Sequence, residues 1–489
     1  MAHVGGADLS LLTPIGQDTF VLAGFSGTEE ISRLFNIKLE LLAENNKDVA
    51  LDRLIGQPAA VELALPTGGS RLFNGIVHRV SQGARSARFT SYHAEVVPQF
   101  WLLTRRQRSR IFERQTVPEI VRLVLGDLVE VELHLEGTQE ARDYCVQYRE
   151  SDFAFASRLM EEEGIYYFFR HDAQGHTLVL ANTPTGHPDV PGPRTVVFDP
   201  TGSERIAGQA VFSWEKTQEL RSGKIVLWDY NFQIPGNSLE GQATIRESVL
   251  AGQVTHALRV AGNEALEVYD YPGGYAQRFD GIGPAGQEQP EELQKIFPAA
   301  QRSAALRVEH EALASLTVEG ASNCRQFTSG HRFTLGKHVN ADGTYVLTSV
   351  THTARLHDPQ ASDRGLAYEN HFTCIPEALP YRPRRITPKP VIGGVQPAVV
   401  VRPTDAGIYP DKYGRVKVKF AWDREGKSSC WIRVAQPYST SGSGTFWLPE
   451  VDDEVLVGFE EGDPDRPYVL GSLFNPRRLP PASRPPTEP

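Results

Sequence analysis

In the first hundred residues the apolar positions recur at every second place. Phe35-Asn36-Ile37-Lys38-Leu39-Glu40-Leu41, Ala60-Val61-Glu62-Leu63-Ala64-Leu65 and Leu72-Phe73-Asn74-Gly75-Ile76-Val77-His78 alternate, with Gly and Pro between them. A period of two with that punctuation predicts antiparallel strands from Phe20 to about Pro98. The period then changes. Thr116 precedes an apolar run of Ile120, Val121, Leu123, Val124 and Leu128, with Pro118 near its start and Glu119 placed to reach back. That is a capping box at the head of a short helix. A second helix is predicted from a Ser151 cap through Phe155 and Leu159 to a Gly164 stop. Its last turn holds Glu161, Glu162 and Glu163, which oppose the helix dipole. We expect a solvated face there, the alternative being a cationic neighbour. Strands resume with Ile165-Tyr166-Tyr167-Phe168-Phe169 and Thr177-Leu178-Val179-Leu180, so the middle of the chain mixes α and β.

One pattern occurs twice. Arg71 to Val80, followed by Tyr92 to Pro98, matches Thr344 to His352, followed by Tyr368 to Pro376. Each copy is a long strand, a polar connection, and a strand running from Tyr to Pro. The repeat predicts two similar β-modules per chain, so that three chains would present six. Residues 381–398 turn to Pro and Arg, as in Tyr381-Arg382-Pro383-Arg384-Arg385, which predicts a stiff extended linker. From Val399 to about Asn475 the text is purely β, about five short strands that suit a small closed barrel of the OB type. Residues 476–489 form a Pro-rich tail without core-forming content. The expected class is mainly β with some α (α+β). Duplicated β-barrel-like modules with an inserted α/β region occupy 1–380, a linker 381–398 and an OB-fold barrel 399–475.

Composition narrows the function. At 489 residues, with 40% hydrophobic and 22% charged positions, the chain has material for about three domains. A formal net charge of -10 argues against broad nucleic-acid binding, which needs a basic surface. Cys145, Cys324, Cys374 and Cys430 lie far apart, which reads as buried free thiols in a reducing compartment. Met1 to Pro14 lacks the basic start and apolar run of a secretory signal, and no apolar run is long enough to span a bilayer.

Candidate catalytic and binding motifs fail on context. Gly281-Ile282-Gly283-Pro284-Ala285-Gly286 has the form GxGxxG, but no apolar strand precedes it and no helix start comes after it, so a flexible loop is expected. His310-Glu311-Ala312-Leu313-Ala314 has Ala where a zinc protease needs its second His. Arg415, Lys417 and Lys419 with Trp422 and Trp447 could form a groove for a single nucleic-acid strand. Alternation, however, puts Trp422 on the side of Val416, Val418 and Phe420, the core side, so a structural use is expected.

Several motifs stand in one order along the C-terminal barrel. They are Asp411-Lys412-Tyr413-Gly414-Arg415, Trp422-Asp423, Trp431-Ile432-Arg433-Val434, Phe446-Trp447-Leu448-Pro449, Glu454-Val455-Leu456-Val457-Gly458-Phe459 and Gly462-Asp463-Pro464-Asp465-Arg466-Pro467-Tyr468-Val469-Leu470-Gly471. Together they resemble the spike-base OB domain of the VgrG proteins of type VI secretion and of phage tail spikes. Glu150-Ser151-Asp152-Phe153-Ala154-Phe155, Arg158 to Tyr167 and Arg278-Phe279-Asp280-Gly281 resemble the hub portion of the same family. The resemblance covers the chain to about Asn475. It implies a homotrimeric hub and spike of a contractile injection machine, seated on a hexameric tube protein of the Hcp type. The other implied partners are baseplate components and tip proteins or secreted effectors, with no nucleic acid, cofactor, metal or catalytic residue. The motif residues Tyr413, Gly414, Arg415, Trp422, Trp431, Trp447, Leu448, Pro449, Gly458, Asp463, Arg466, Pro467 and Gly471 are expected to be structural. Localisation would be cytoplasmic during assembly, and then export through the machine without a signal peptide. The hub of a phage tail or of an extracellular injection particle is the alternative. A cell-wall hydrolase spike is disfavoured, because no segment is long enough to host that domain. Family members usually continue into a β-helical needle rich in Val and Gly, whereas this sequence ends in prolines. A naturally short spike and a chain cut at the needle both fit.

Overall fold

The computed structural model describes residues 8–16, 19–202, 208–358, 365–402 and 409–481. The start of the chain (1–7) and the end of the Pro-rich tail (482–489), on which two of the expectations fall, lie outside the described residues.

The alternating segments form one 12-stranded sheet folded into two modules. The first comprises β1 (Leu9–Leu12), β2 (Val21–Glu30), β3 (Asn36–Glu44), β4 (Pro58–Ala64), β5 (Ser70–Arg85) and β6 (Phe89–Val97), in the order β1-β4-β5-β6-β3-β2. The second comprises β7 (Thr195–Phe198), β8 (Ala210–Gln218), β9 (Leu316–Ser322), β10 (Arg332–Gly336), β11 (Gly343–Leu356) and β12 (Leu366–Pro376). Its order is β7-β10-β11-β12-β9-β8, and β8 pairs back to β7 to close a ring. Strand for strand the two orders are the same.

The likeness reaches single residues. In the hairpin β5–β6 the register shifts between Val77 and Arg79, one step from the pair Ile76↔Val97. In β11–β12 it shifts between Leu347 and Ser349, one step from Val346↔Ile375. The bulges β2–β3 (Leu22/Gly24) and β8–β9 (Val211/Ser213) correspond in the same way. The two modules join where β2 pairs with β11, from Gly24↔Arg355 to Glu30↔Ser349.

Alternation decides what each strand buries. In β3 the residues Ile37, Leu39 and Leu41 are buried, while Lys38 and Glu40 are exposed. The second ring is filled by Val196, Val211, Val318, Phe327, Phe333, Leu335, Tyr345, Leu347 and Phe372, each worth about 1.5–3 kcal/mol by transfer from water. Between the modules the chain forms α1 (Val117–Leu125) and α2 (Asp152–Glu163), and α3 (Ile296–Ala314) is inserted within the second module, between β8 and β9. Thr116 and Glu119 make the expected capping box, Ser151 Oγ accepts from the N–H of Ala154, and Gly164 ends α2 at φ 69°. No helix among the described residues is long and apolar enough to cross a membrane.

The C-terminal barrel is a five-stranded sheet of β13 (Gln396–Val401), β14 (Lys417–Phe420), β15 (Arg433–Val434), β16 (Glu454–Phe459) and β17 (Pro467–Leu473), in the order β14-β13-β16-β17-β15. Its first strand begins at Gln396, ahead of the expected Val399. Residues 381–395 have no regular secondary structure, but they are not a free linker: Arg382, Arg385 and Lys389 are all bound to neighbours.

Candidate functional site: the junction of body and barrel

The barrel does not stand apart from the body. The hairpin Gln107–Gln115/Arg142–Ser151 gives Ile111, Tyr144 and Val146 to the same apolar cluster as Val400, Val416, Val418, Phe420, Ile432, Val455 and Val469. Trp422 stacks on Phe420, meets Tyr148 of the body edge-on at 5.7 Å, and donates from Nε1 to Gln396 Oε1 at 2.8 Å. Trp431 donates from Nε1 to the carbonyl of Gly283 at 2.9 Å. The Gly-rich loop is therefore ordered, contrary to the flexible loop expected: Gly283 N–H donates to Gln287 O and Ile282 is buried. Its role is to receive an indole.

Arg415 is the centre of this contact. Alternation predicts it on a solvated basic face with Lys417 and Lys419. The structure instead buries it at 2% exposure, because the ladder of β14 begins only at Lys417 and the preceding turn swings the side chain inward. Its guanidinium makes two parallel bonds to Asp280 of the body, Nη1 to Oδ2 at 2.6 Å and Nη2 to Oδ1 at 3.0 Å, while Nε donates to Asp411. Planar fork geometry suits Arg and not Lys here. Phe232 of the body and Tyr413 flank the same guanidinium. Lys417 is also buried, over the ring of Trp431, and Lys419 alone of the three remains exposed.

A second attachment runs through the strap 381–395. Lys389 Nζ lies 2.6 Å from both Asp463 and Asp465 of the barrel, and Asp465 Oδ1 accepts the N–H of Val146 at 2.6 Å. Arg466, buried at 7%, lies between Asp229 of the body and Glu460.

The strap also meets the end of α2, and here the solvated-face expectation is overturned. Glu162 pairs with Arg142 at 2.7 Å, and Glu163 with Arg142, Arg278 and Arg302 at 2.8, 2.7 and 3.3 Å. Glu161 accepts the N–H groups of Ile386 and Thr387, and Arg385 caps the helix by donating to Glu162 O at 2.9 Å. The cationic neighbours cancel both the unfavourable dipole and the cost of burial. Burial alone would raise the carboxyl of Glu163, but Arg278, Arg142 and Arg302 hold it at about 2. Glu162 is held low by Arg142, Arg158 and Arg278 against the same burial penalty. Beside them Arg158, 2% exposed, forks onto Glu150 at 2.8 and 3.0 Å.

The remaining motif residues shape the barrel itself. Trp447 donates from Nε1 to Ala435 O at 3.1 Å, beside half-buried Leu448 and buried Pro449. Gly414 turns the chain at φ 69° beneath Phe446. At Gly458 a Cβ would stand 2.8 Å from the far end of the Tyr468 ring, so a larger residue would have to displace that ring. Pro467 is buried at the start of β17, and nothing in the packing accounts for Gly471, whose Cβ position is open. Glu150, Arg158, Asp280, Lys389 and Asp465 do not stand out in the sequence as junction residues. One signal existed: Arg158 and Glu162 fall three and seven places after Phe155, on the apolar stripe of α2, where a charge implies a buried partner.

Chemically the junction is an attachment of ion pairs and packed rings. The carboxylates of Asp280, Glu161, Glu162, Glu163, Asp463 and Asp465 are taken up by guanidinium, ammonium or backbone N–H groups, whereas burial and the neighbouring Asp280 push Asp143 up to about 7. Among the described residues no set of three or more His, Cys, Asp or Glu is arranged to hold a metal. Cys145 and Cys324 are buried thiols, pushed up to about 12 by desolvation, far from the reactive range.

Comparison with known proteins agrees with this architecture. The family model for the phage tail baseplate hub (GPD) matches residues 28–358, and that for the type VI secretion system/phage-baseplate injector OB domain matches residues 396–474. The type VI secretion system spike protein VgrG1b of Pseudomonas aeruginosa is 37% identical over 473 residues, which are 95% of this chain and 60% of that protein. VgrG1a of the same organism is 37% identical, with 94% of this chain and 68% of that protein covered. Among solved structures, an E. coli component of the type VI secretion system, described as structurally similar to the T4 bacteriophage tail proteins gp27 and gp5, aligns with a TM-score of 0.63. It does so at 22% identity, over 95% of this chain and 100% of that one.

Proposed function

The chain belongs to the VgrG spike family of type VI secretion, and from that membership we propose that it works as a homotrimeric hub and spike base of a contractile injection machine. In this reading its paired modules seat on a hexameric tube protein of the Hcp type. The barrel end would carry a tip protein or effectors into the target cell, with baseplate components as further partners. The role is structural and not catalytic. The chain would assemble in the cytoplasm and leave with the machine. It spans 60% of the length of VgrG1b, so the activity of the whole protein is part of this proposal. The proposed organisation is a hub region to about residue 380, a strap, and a spike-base barrel, whose motif residues have structural roles.

One observation carries the reading. Two modules with the same strand order lie in one chain, and a barrel is locked to them by buried ion pairs. Three such chains present six modules to a sixfold tube. The hub of a phage tail is the second reading, favoured by the family description of residues 28–358. Light scattering and negative-stain microscopy of the purified chain test the proposal. A threefold cup that co-sediments with the tube protein is expected. A stable monomer at high concentration, with or without the tube protein, would sink it.

A further inference from the structure

The end of α2 is surrounded by more guanidiniums than it has carboxylates to meet them. Arg142, Arg158, Arg278, Arg302 and Arg385 crowd around it. Among the described residues, the carboxylates within ion-pair reach of these five are Glu150, Glu162 and Glu163. Arg385 donates to a carbonyl, Glu162 O, and Glu161 is taken up by the N–H groups of Ile386 and Thr387. In a chain of net charge -10 this excess of cations is local. It shows in the groups themselves. Burial first, and then the neighbouring Arg142, lower Arg278 from its ordinary value; burial, Arg307 and Arg278 bring Arg385 down to about 10.

The excess faces a cleft. A cavity of about 200 Å³ opens between the end of α2, the turn at Arg278 and Phe279, and the start of α3. Arg142, Arg278, Arg302 and Lys295 line it, against Glu140 and Glu163. Lys295 is held by Glu140 and Glu292 at 3.3 and 2.9 Å, so the uncancelled charge belongs to the three guanidiniums. None of the three is fully used. Arg142 is 5% exposed, and its Nε has no hydrogen-bond partner among the described residues. Arg278 spends Nε on Gly274 O and Nη1 on Glu163, while its Nη2 stands 3.9 Å from Glu162, beyond hydrogen-bond distance. Arg302, partly exposed, makes only the long contacts of 3.3 Å to the Glu163 carboxylate and 3.4 Å to Glu163 O. A guanidinium offers five N–H donors in a planar fork that matches two oxygens of one phosphate.

We propose that this cavity binds a small anion of the phosphate class, held by Arg142, Arg278 and Arg302, with Phe279 and Pro298 as an apolar wall for whatever group the phosphate carries. The two charges left over by five guanidiniums and three carboxylates match a phosphate group, which carries about -1.5 to -2 at neutral pH. Binding would join α2, the Arg278 turn and α3 through one ligand, and so brace the helix end on which the strap 381–395 is anchored.

Isothermal titration calorimetry of the full chain, in chloride buffer at constant ionic strength, tests this with inorganic phosphate and phenyl phosphate as separate probes. One site per chain, with a dissociation constant below about 1 mM, is expected for at least one of them. Tighter binding of phenyl phosphate assigns the cavity to a phosphate ester; equal or tighter binding of inorganic phosphate assigns it to the free anion. Arg302→Gln should weaken binding about tenfold or more, the worth of one charge-assisted bond, and Arg302→Lys should recover only part of the loss. Arg88→Gln, which removes an exposed cation paired with Glu44, should leave binding unchanged. In the unaltered chain the bound probe should also slow amide exchange at the end of α2 and at residues 298–302. Neither saturable heat nor slowed exchange with either probe up to about 10 mM overturns the assignment. So does binding that Arg302→Gln leaves intact, or that Arg88→Gln weakens equally.

Discussion

The seam between the modules and the junction with the barrel solve the same problem in different ways. The seam is a backbone ladder, β2 on β11, with one buried ionic cluster. Glu29 lies between Arg71 at 2.6 Å and His352 at 2.8 Å, and His352 meets Tyr368 Oη at 2.8 Å. Among the described residues the junction has no ladder across it; side-chain ion pairs and a shared apolar cluster hold it. A ladder fixes register and can be repeated by duplication. A set of forked ion pairs fixes one orientation and cannot slide.

That contrast can be broken from either side. Acid should separate the two most widely. A carboxyl held below its ordinary value stabilises the fold above that value and loses its contribution as pH falls. Glu163 therefore gives up its contribution between the usual 4.5 and about 2. Burial would raise Glu29, yet Arg71 and His352 hold it low as well; burial also lowers His352 beside it, so protonating that imidazole draws on the seam once pH falls below 6.5, before Glu163 begins to titrate. Hydrogen exchange should show β2 and β11 beginning to open at higher pH than the end of α2; simultaneous opening would refute the distinction. Next in size is Glu29→Gln, which leaves Arg71 uncompensated and should cost about 3–5 kcal/mol in urea unfolding. Glu29→Leu with Arg71→Met should recover most of that loss. At the junction, Asp280→Asn should cost about 1.5–3 kcal/mol, less because Asp411 still holds Arg415, and the barrel alone should gain exchange. Gly24→Ala tests how closely the seam is packed, since its Cβ would stand 2.6 Å from Ala354 O; about 1–3 kcal/mol is expected. Smallest is Thr28→Val, which removes one exposed hydroxyl pair for about 0.5–1 kcal/mol.

The same contrast explains what could be read from the sequence. The hairpins, both helix starts and the barrel core were legible, because alternation, capping and turn chemistry act over a few residues. Val416, Val418 and Phe420 lie in the core where their spacing put them, with Trp422 packed against it. The repeat was legible as two hairpins, although the structure aligns Tyr92 with Asn370 and not with Tyr368, since the common reference is the bulge beside the final Pro. The ion pairs were not legible. Glu163 is answered by Arg142, Arg278 and Arg302, remote in sequence, and nothing near Glu163 encodes them. Arg415 misled because alternation was extended one turn before the strand begins.

Warming should act on the two attachments unequally. The penalty for stripping water from charged groups falls as temperature rises, whereas the gain from burying each unit of apolar area levels off. An attachment built from Arg415, Asp280, Lys389 and Asp465 therefore holds a growing share of the total stability in the heat. On a calorimetric scan the barrel should melt with the body as one unit, not ahead of it.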